Sequence, residues 1–315
     1  MAPTTSIAGI KRPVAAADKE WATEQLTKLG RFTGMRWILS TEPAEVLPFK
    51  TYEAVTVSPG FAAAQDKLSY FVAQMKLSNE EQQGIEKATV GQSKNPLWSS
   101  YRHNRITASR FGLVLAAIRR HSFPPSLFKT LRGEYTKIAG AKAIDWGISH
   151  EDRGIEQYSQ VTGYPVQRRG LFLPTSGLLG ASPDGSISDD HIGVVKCPWV
   201  ATNTSIAEVA ENKHFFLTVD EVTGPFKLKH SHTYFDQIQG NLHLIGASRC
   251  DSVVWTPTEL AIIPVIKDPA WVPNTDQELN NQDPQNEFYL DDPAKDSFLF
   301  NILNKSLFVG LTISV

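Results

Sequence analysis

The sequence predicts an α/β (α+β) protein: a mixed central sheet flanked by helices, behind a mainly helical N-terminal stretch. Three observations predict it. Amphipathic runs of helical period recur up to Val161, and short apolar runs bounded by turn residues follow between Val166 and Val195. A last helical run, Ser231 to Ile245, precedes two alternating runs, Cys250 to Trp255 and Leu260 to Ile266, that read as a closing pair of strands. A helix–strand–strand–strand order of this kind suits a sheet layered with helices.

The chain has 315 residues, 41% of them hydrophobic, enough for a substantial core in one large domain or two. Charged residues make up 20% and are spread along the chain, as in a globular protein. A formal charge of −2 provides no global positive field, so any nucleic-acid binding rests on local clusters. Two cysteines, Cys197 and Cys250, make neither a zinc site nor a disulfide framework, and their apolar surroundings assign them to packing. The N-terminus lacks the basic and apolar blocks of a signal peptide, and no apolar run approaches the length of a membrane span. The expectation is an intracellular protein, cytoplasmic or nuclear, without membrane contact.

Taken in order, residues 1–17 read as a loose arm. Trp21, Ala22, Leu26 and Leu29 recur at helical spacing before Gly30, a C-terminal stop. Tyr52 to Val57 alternates like a short strand, and Phe61 to Leu77 reads as one helix. Ser78-Asn79-Glu80-Glu81 has the form of a capping box and opens another helix. Thr107-Ala108-Ser109 lies at the start of the amphipathic run Arg110 to Ile118, where free N–H groups and the helix dipole suit a phosphate, and Arg102 adds a bidentate donor. Phe123-Pro124-Pro125 breaks that helix, and Ser126 to Ile138 forms the next, carrying Arg132 and Lys137. Ala143 to Val161 is a helix with Trp146, Ile148, Ile155 and Tyr158 on its apolar side and Glu151 among polar neighbours. Val166 to Leu173 and Leu178 to Ala181 read as strands around a Pro-Thr-Ser-Gly turn, Thr202 to Lys213 as a modest helix, and Phe215 to Val219 as a strand. Pro273 to Asp292 is an exposed linker by composition, and Phe298 to Val315 an apolar tail that docks back on the domain. The organisation is therefore 1–94 as arm and helical addition, 95–272 as the core, and 273–315 as linker and tail.

The chemistry centres on Ser182-Pro183-Asp184-Gly185 and Val194-Val195-Lys196-Cys197-Pro198. The first is a turn that presents a carboxylate; the second ends a strand in a lysine. Adjacent strand ends would bring Asp184 and Lys196 together, the arrangement of a metal-dependent phosphodiesterase, in which a carboxylate holds Mg²⁺ and a lysine orients or deprotonates water. Those residues alone better suit an ordinary hairpin with a surface Asp and Lys.

Three further stretches accompany them in order: Trp98 to Ser109, Trp146-Gly147-Ile148-Ser149-His150-Glu151, and Tyr234-Phe235-Asp236-Gln237-Ile238-Gln239-Gly240. Together the four resemble the lambda-type exonucleases, or YqaJ-like viral recombinase family, of the PD-(D/E)xK nucleases, over roughly residues 95–257. The resemblance implies a restriction-endonuclease-like fold and degradation of double-stranded DNA from a 5′-phosphorylated end, dependent on Mg²⁺ with Mn²⁺ as the other candidate ion. By the same resemblance Asp184 and Glu151 are metal ligands together with the Val195 carbonyl, Lys196 positions the hydroxide, and Gln237 orients the nucleophile or phosphate. Arg102 and Ser109 match the pocket that grips the 5′-phosphate, with Thr107 beside them and Arg105 as a backbone or packing contact. The implied partners are double-stranded DNA ends and a single-strand annealing protein; homo-oligomeric rings and single chains both occur among such proteins. One position departs from the pattern. The acidic residue expected two places before the lysine is Val194, which cannot ligate a hard cation, so at least one ion should bind more weakly. Asp189 or Asp190 is a candidate substitute. A DNA-end-binding module of nuclease fold and a protein-interaction scaffold are the competing functions.

Overall fold

The computed structural model describes residues 52–120, 122–132, 141–220 and 224–271, together with Trp21, Ala22, Glu24, Gln25 and Lys28. The chain divides into two compact units, Met1–Pro48 and Phe49–Val315. In the first unit the described residues are helical, as the spacing predicts. Leu26 and Leu29, the arm 1–17, the linker Pro273 to Asp292 and the tail Phe298 to Val315 lie outside the described residues.

The second unit begins with helices α1 (Tyr52–Thr56), α2 (Pro59–Ala63), α3 (Lys67–Met75) and α4 (Asn79–Ala88). Here two expectations are corrected. Tyr52 to Thr56 is helical, not extended, because Val55 is buried against Phe71 and Met75 and tertiary packing overrides its β preference. Phe61 to Leu77 is not one helix: the chain leaves helical geometry at Ala64, and α3 restarts where the Asp66 side chain accepts from the Ser69 N–H. The capping box forms as expected, Ser78 accepting from the Glu81 N–H while Glu81 accepts from the Ser78 N–H.

Next come α5 (Pro96–Arg102), β1 (Ile106–Thr107), α6 (Ala108–Arg119), α7 (Pro125–Arg132) and the long α8 (Ala141–Thr162). The strands are β2 (Leu179–Gly180), β3 (Gly185–Ser188), β4 (His191–Lys196), β5 (Leu217–Asp220), β6 (Gly224–Leu228), β7 (Arg249–Trp255) and β8 (Leu260–Ile266), with α9 (Ile206–Ala210) and α10 (Thr233–Ile245) between them. The central sheet runs β3-β4-β7-β8, with β4 parallel to β7 and the outer pairs antiparallel, so it is the mixed sheet expected. Of the two strands expected between Val166 and Ala181, only Leu179–Gly180 forms, paired in parallel with β1. The preceding segment touches its neighbours only through isolated bridges at Gln167 and Phe172.

Helices cover both faces. Val194 and Ile192 turn into the main core with α6 and α10, whereas Val195 faces α8 with Ile155 and Tyr158, as strand alternation requires. Close approach of α6 and α10 depends on two glycines. A Cβ at Gly240 would lie 2.3 Å from the Phe111 ring and one at Gly112 2.7 Å from Thr233, so side chains there would drive the helices apart. Trp271 closes this core, stacked on Phe111 at 6.0 Å and donating to Asp236. Both cysteines are buried and their thiols are pushed up in pKa, first by burial, consistent with a packing role.

Candidate active site

β4 ends at Lys196, and its antiparallel partner β3 begins just after Asp184, so the backbone alone brings the two side chains to one end of the sheet. The turn is held by the Asp184 N–H donating to the Gly193 carbonyl at 3.0 Å and by the Val195 N–H donating to Asp184 Oδ2 at 2.6 Å. A carboxylate fixed this way cannot rotate freely, and its other oxygen is directed by the fold. On the opposite layer, Gly154 of α8 lies against Val195 and Trp255, which brings the helix down on the sheet and Glu151 to the same end.

Electrostatics bind the three residues together. The Glu151 carboxyl is pushed up to about 7, first by burial and then by the negative Asp184, with Arg168 and Lys196 pulling it down. Asp184 is also raised by burial, against the pull of Lys196, the Val195 N–H and Arg168. Lys196 lies over the Tyr234 ring at 4.8 Å, a cation–π contact that orients its ammonium. Gln237, one helical turn from Tyr234, is half-buried and has no hydrogen-bond partner among the described residues. Gln239 turns elsewhere, donating to the Ile266 carbonyl and accepting from the Asp268 N–H.

The shift on Glu151 has a sign that can be checked. A carboxyl whose folded pKa lies above its unfolded value stabilises the fold below the unfolded value, and that stability is lost as pH rises through the folded one. In metal-free buffer the melting temperature should therefore fall between pH 4.5 and about 7 more steeply in the parent than in Glu151→Gln. Parallel melting curves for the two proteins across that window would show that Glu151 titrates normally.

At the other anchor, Thr107 is the N-cap of α6 but its hydroxyl makes no capping bond; it lies 3.1 Å from Ser109 Oγ, which accepts from Arg102 Nη2 at 3.2 Å. Arg102 stacks on Trp98 at 4.0 Å, and burial with the nearby Arg110 lowers its pKa to about 10, so it stays charged near neutrality. Arg102, Thr107 and Ser109 thus surround the open N-terminus of a 12-residue helix. Arg105 does not join them. It is turned inward, 5% exposed, and donates to the Gly177 and Tyr101 carbonyls, so it supports the surrounding loops. The two anchors are tied by Trp98, whose Nε1 donates to Ser182 Oγ at 3.0 Å, two residues before Asp184.

Val194 is 1% exposed within the main core, and neither suggested substitute replaces the missing acid. The Asp190 carboxylate accepts from Ser248, and Asp189 is exposed in the turn between β3 and β4. Among the described residues no group of three or more His, Cys, Asp or Glu side chains gathers as a metal cluster. Two hard-oxygen carboxylates remain, Asp184 raising the pKa of Glu151 and burial raising both, a donor set that fits one divalent cation of the Mg²⁺ type, with Asp184 and Glu151 as the side-chain ligands. The residue that sequence reading missed is Arg168. Its guanidinium reaches Glu151 Oε1 at 3.3 Å, the Asp184 carbonyl at 3.4 Å and the Asp152 carboxylate, which also pairs with Lys94 at 2.6 Å.

Residues 97–248, which hold both anchors, match the model of the YqaJ-like viral recombinase domain. This stretch, just under half of the chain, is similar to that family. The chain is 28% identical over 202 residues to the alkaline nuclease of Autographa californica nuclear polyhedrosis virus, covering 58% of this chain and 46% of that protein. It is 28% identical over 217 residues to the alkaline nuclease of Orgyia pseudotsugata multicapsid polyhedrosis virus, covering 61% and 47%. The chain thus spans about half the length of these curated relatives. Among solved structures, the alkaline exonuclease of Laribacter hongkongensis is similar with 20% identity and a TM-score of 0.42, over 67% of this chain and 94% of that one. Among the described residues no helix is long and apolar enough to cross a membrane.

Proposed function

We propose that the chain is a metal-dependent DNA exonuclease that engages double-stranded DNA at a 5′-phosphorylated end and hydrolyses its backbone. The observation that carries this reading is the convergence of Asp184, Glu151 and Lys196 at one end of the sheet, tied through Trp98 to the Arg102–Ser109–Thr107 cluster. A bound Mg²⁺ or Mn²⁺ would supply Lewis-acid polarisation of the phosphate and a more acidic water. The protein's own part is positional. Asp184 is held by the Val195 N–H, Glu151 completes the oxygen face with the Val195 carbonyl, and Lys196 donates to or withdraws a proton from the attacking water. Gln237 keeps a free amide to orient water or phosphate beside it. Arg102 and Ser109 offer charge-assisted donors to a terminal phosphate at the open end of α6. A role in recombination with a single-strand annealing protein, in a ring or as a single chain, extends the same reading.

One observation favours a second reading. The buried Val194 removes a carboxylate from the metal side, so a protein that grips DNA ends without cutting them would keep the Arg102 pocket and lose the chemistry. Both readings require that pocket. Arg102→Ala should weaken preference for 5′-phosphorylated over 5′-hydroxyl duplex ends by about 10–100-fold, the worth of one or two charge-assisted hydrogen bonds. Competition binding with the two ends measures it, and an unchanged ratio would remove the end-recognition step. Digestion of the same DNA with Mg²⁺ or Mn²⁺ then separates the cutter from the binder.

A further inference from the structure

The segment Gln167-Arg168-Arg169 places two consecutive arginines just after the isolated bridge at Gln167, and the two side chains reach different partners. Arg169 pairs with Glu86, away from the candidate active site. Arg168 turns the other way, and its side chain, about a third exposed, meets both carboxylates of the α8 turn, Glu151 and Asp152, and the main-chain oxygen of Asp184. Lys94 holds Asp152 from the far side. Five donors on a planar fork can satisfy these acceptors at once.

Its position matters because of what surrounds it. Around the candidate metal position two carboxylates, Asp184 and Glu151, face two cations, Lys196 and Arg168. A third carboxylate at position 194 would tip this balance negative, but Val194 supplies none. Arg168 already contacts one of the two Glu151 carboxylate oxygens, Oε1, at 3.3 Å.

We propose that Arg168 is the resident cation of this site: its guanidinium holds the Glu151 carboxylate beside Asp184, competes there with the divalent ion, and sets how tightly that ion loads. This rests on the metal-dependent reading above and adds a positioning residue to it. When the ion enters, Arg168 retains Asp152 as a partner, so it need not leave the structure. A cation that both releases and regains Glu151 makes loading a competition, not simple filling of an empty site.

The test is Mn²⁺ binding to the full chain, read at alkaline pH from the electron paramagnetic resonance of the free ion, for the parent, Arg168→Gln, Arg168→Lys and Asp184→Ala. Removing a unit charge a few ångströms from a divalent ion should tighten binding by about tenfold or more in Arg168→Gln. Arg168→Lys keeps the charge and should stay near the parent; tightening in both variants alike would overturn the charge competition. Binding that Asp184→Ala abolishes but Arg168→Gln leaves unchanged or weaker would overturn the proposal while the metal-dependent reading stands. Absence of binding in every variant overturns both, and binding that emerges only in Arg168→Gln supports the proposal. Circular dichroism of each variant confirms that the fold is retained.

Discussion

Digestion of linear 5′-phosphorylated duplex DNA is expected to fall about a thousandfold or more in Asp184→Ala, with binding to the same ends within about twofold of the parent. Asp184 is the carboxylate most rigidly placed: its backbone is paired with Gly193 and its Oδ2 with the Val195 N–H. Removing it takes away the negative charge that raises Glu151 and that Lys196 balances, so the oxygen face loses its best-ordered member. A metal-assisted displacement that loses several kcal/mol of charge stabilisation slows by about that many powers of ten divided by 1.4. End binding depends on different side chains, Arg102, Thr107 and Ser109, and should survive. Initial rates on end-labelled duplex, set beside equilibrium binding of the same duplex, measure the two effects separately. Equal rates in parent and Asp184→Ala would remove Asp184 from the chemistry and leave the end-binding reading in its place.

The elements legible in the sequence were those whose signals are local. Ser78 and Glu81 write a capping box that forms as read, and Thr107 marks the start of α6 within a residue. Alternation located β7 and β8, and the apolar run ending at Lys196 located β4. What failed was set by distant partners. Tyr52 to Thr56 carries β-favouring residues but is helical because Val55 has a place against α3, and nothing within those five residues shows that place. The segment from Val166 looked like a strand and pairs only at single bridges. Arg105 shows the same limit at the site itself: one of the carbonyls that hold it comes from nearby Tyr101, the other from Gly177, far along the chain. Arg168 was hidden for a related reason. A pair of arginines in an apolar stretch was the available signal, but its meaning depends on where α8 places Glu151 and Asp152.

Val194→Glu is expected to destabilise the metal-free protein by about 3–5 kcal/mol and to regain much of that loss on addition of Mn²⁺. Val194 is 1% exposed, and its neighbours in the core are apolar. An ionised glutamate there must find a cation or remain as an uncompensated buried charge, and for a domain of this size that loss lowers the melting temperature by about 10 °C. Lys196, two residues on and therefore on the same face of β4, is one partner within the strand's own geometry. A divalent ion held with Asp184 is the stronger one, and an ion bound only to the folded state stabilises it by about 2.7 kcal/mol at a hundred times its dissociation constant. The parent, which lacks that carboxylate, should show a smaller Mn²⁺-dependent rise in melting temperature. Thermal melts of both proteins with and without Mn²⁺, followed by digestion of 5′-phosphorylated duplex, give the decisive comparison. A larger Mn²⁺ shift and faster digestion in Val194→Glu would identify a nuclease scaffold whose metal affinity is limited at one strand position. Destabilisation that Mn²⁺ leaves untouched would mean that side chain 194 points into the core alone, and that ion loading depends on Asp184, Glu151 and the cations around them.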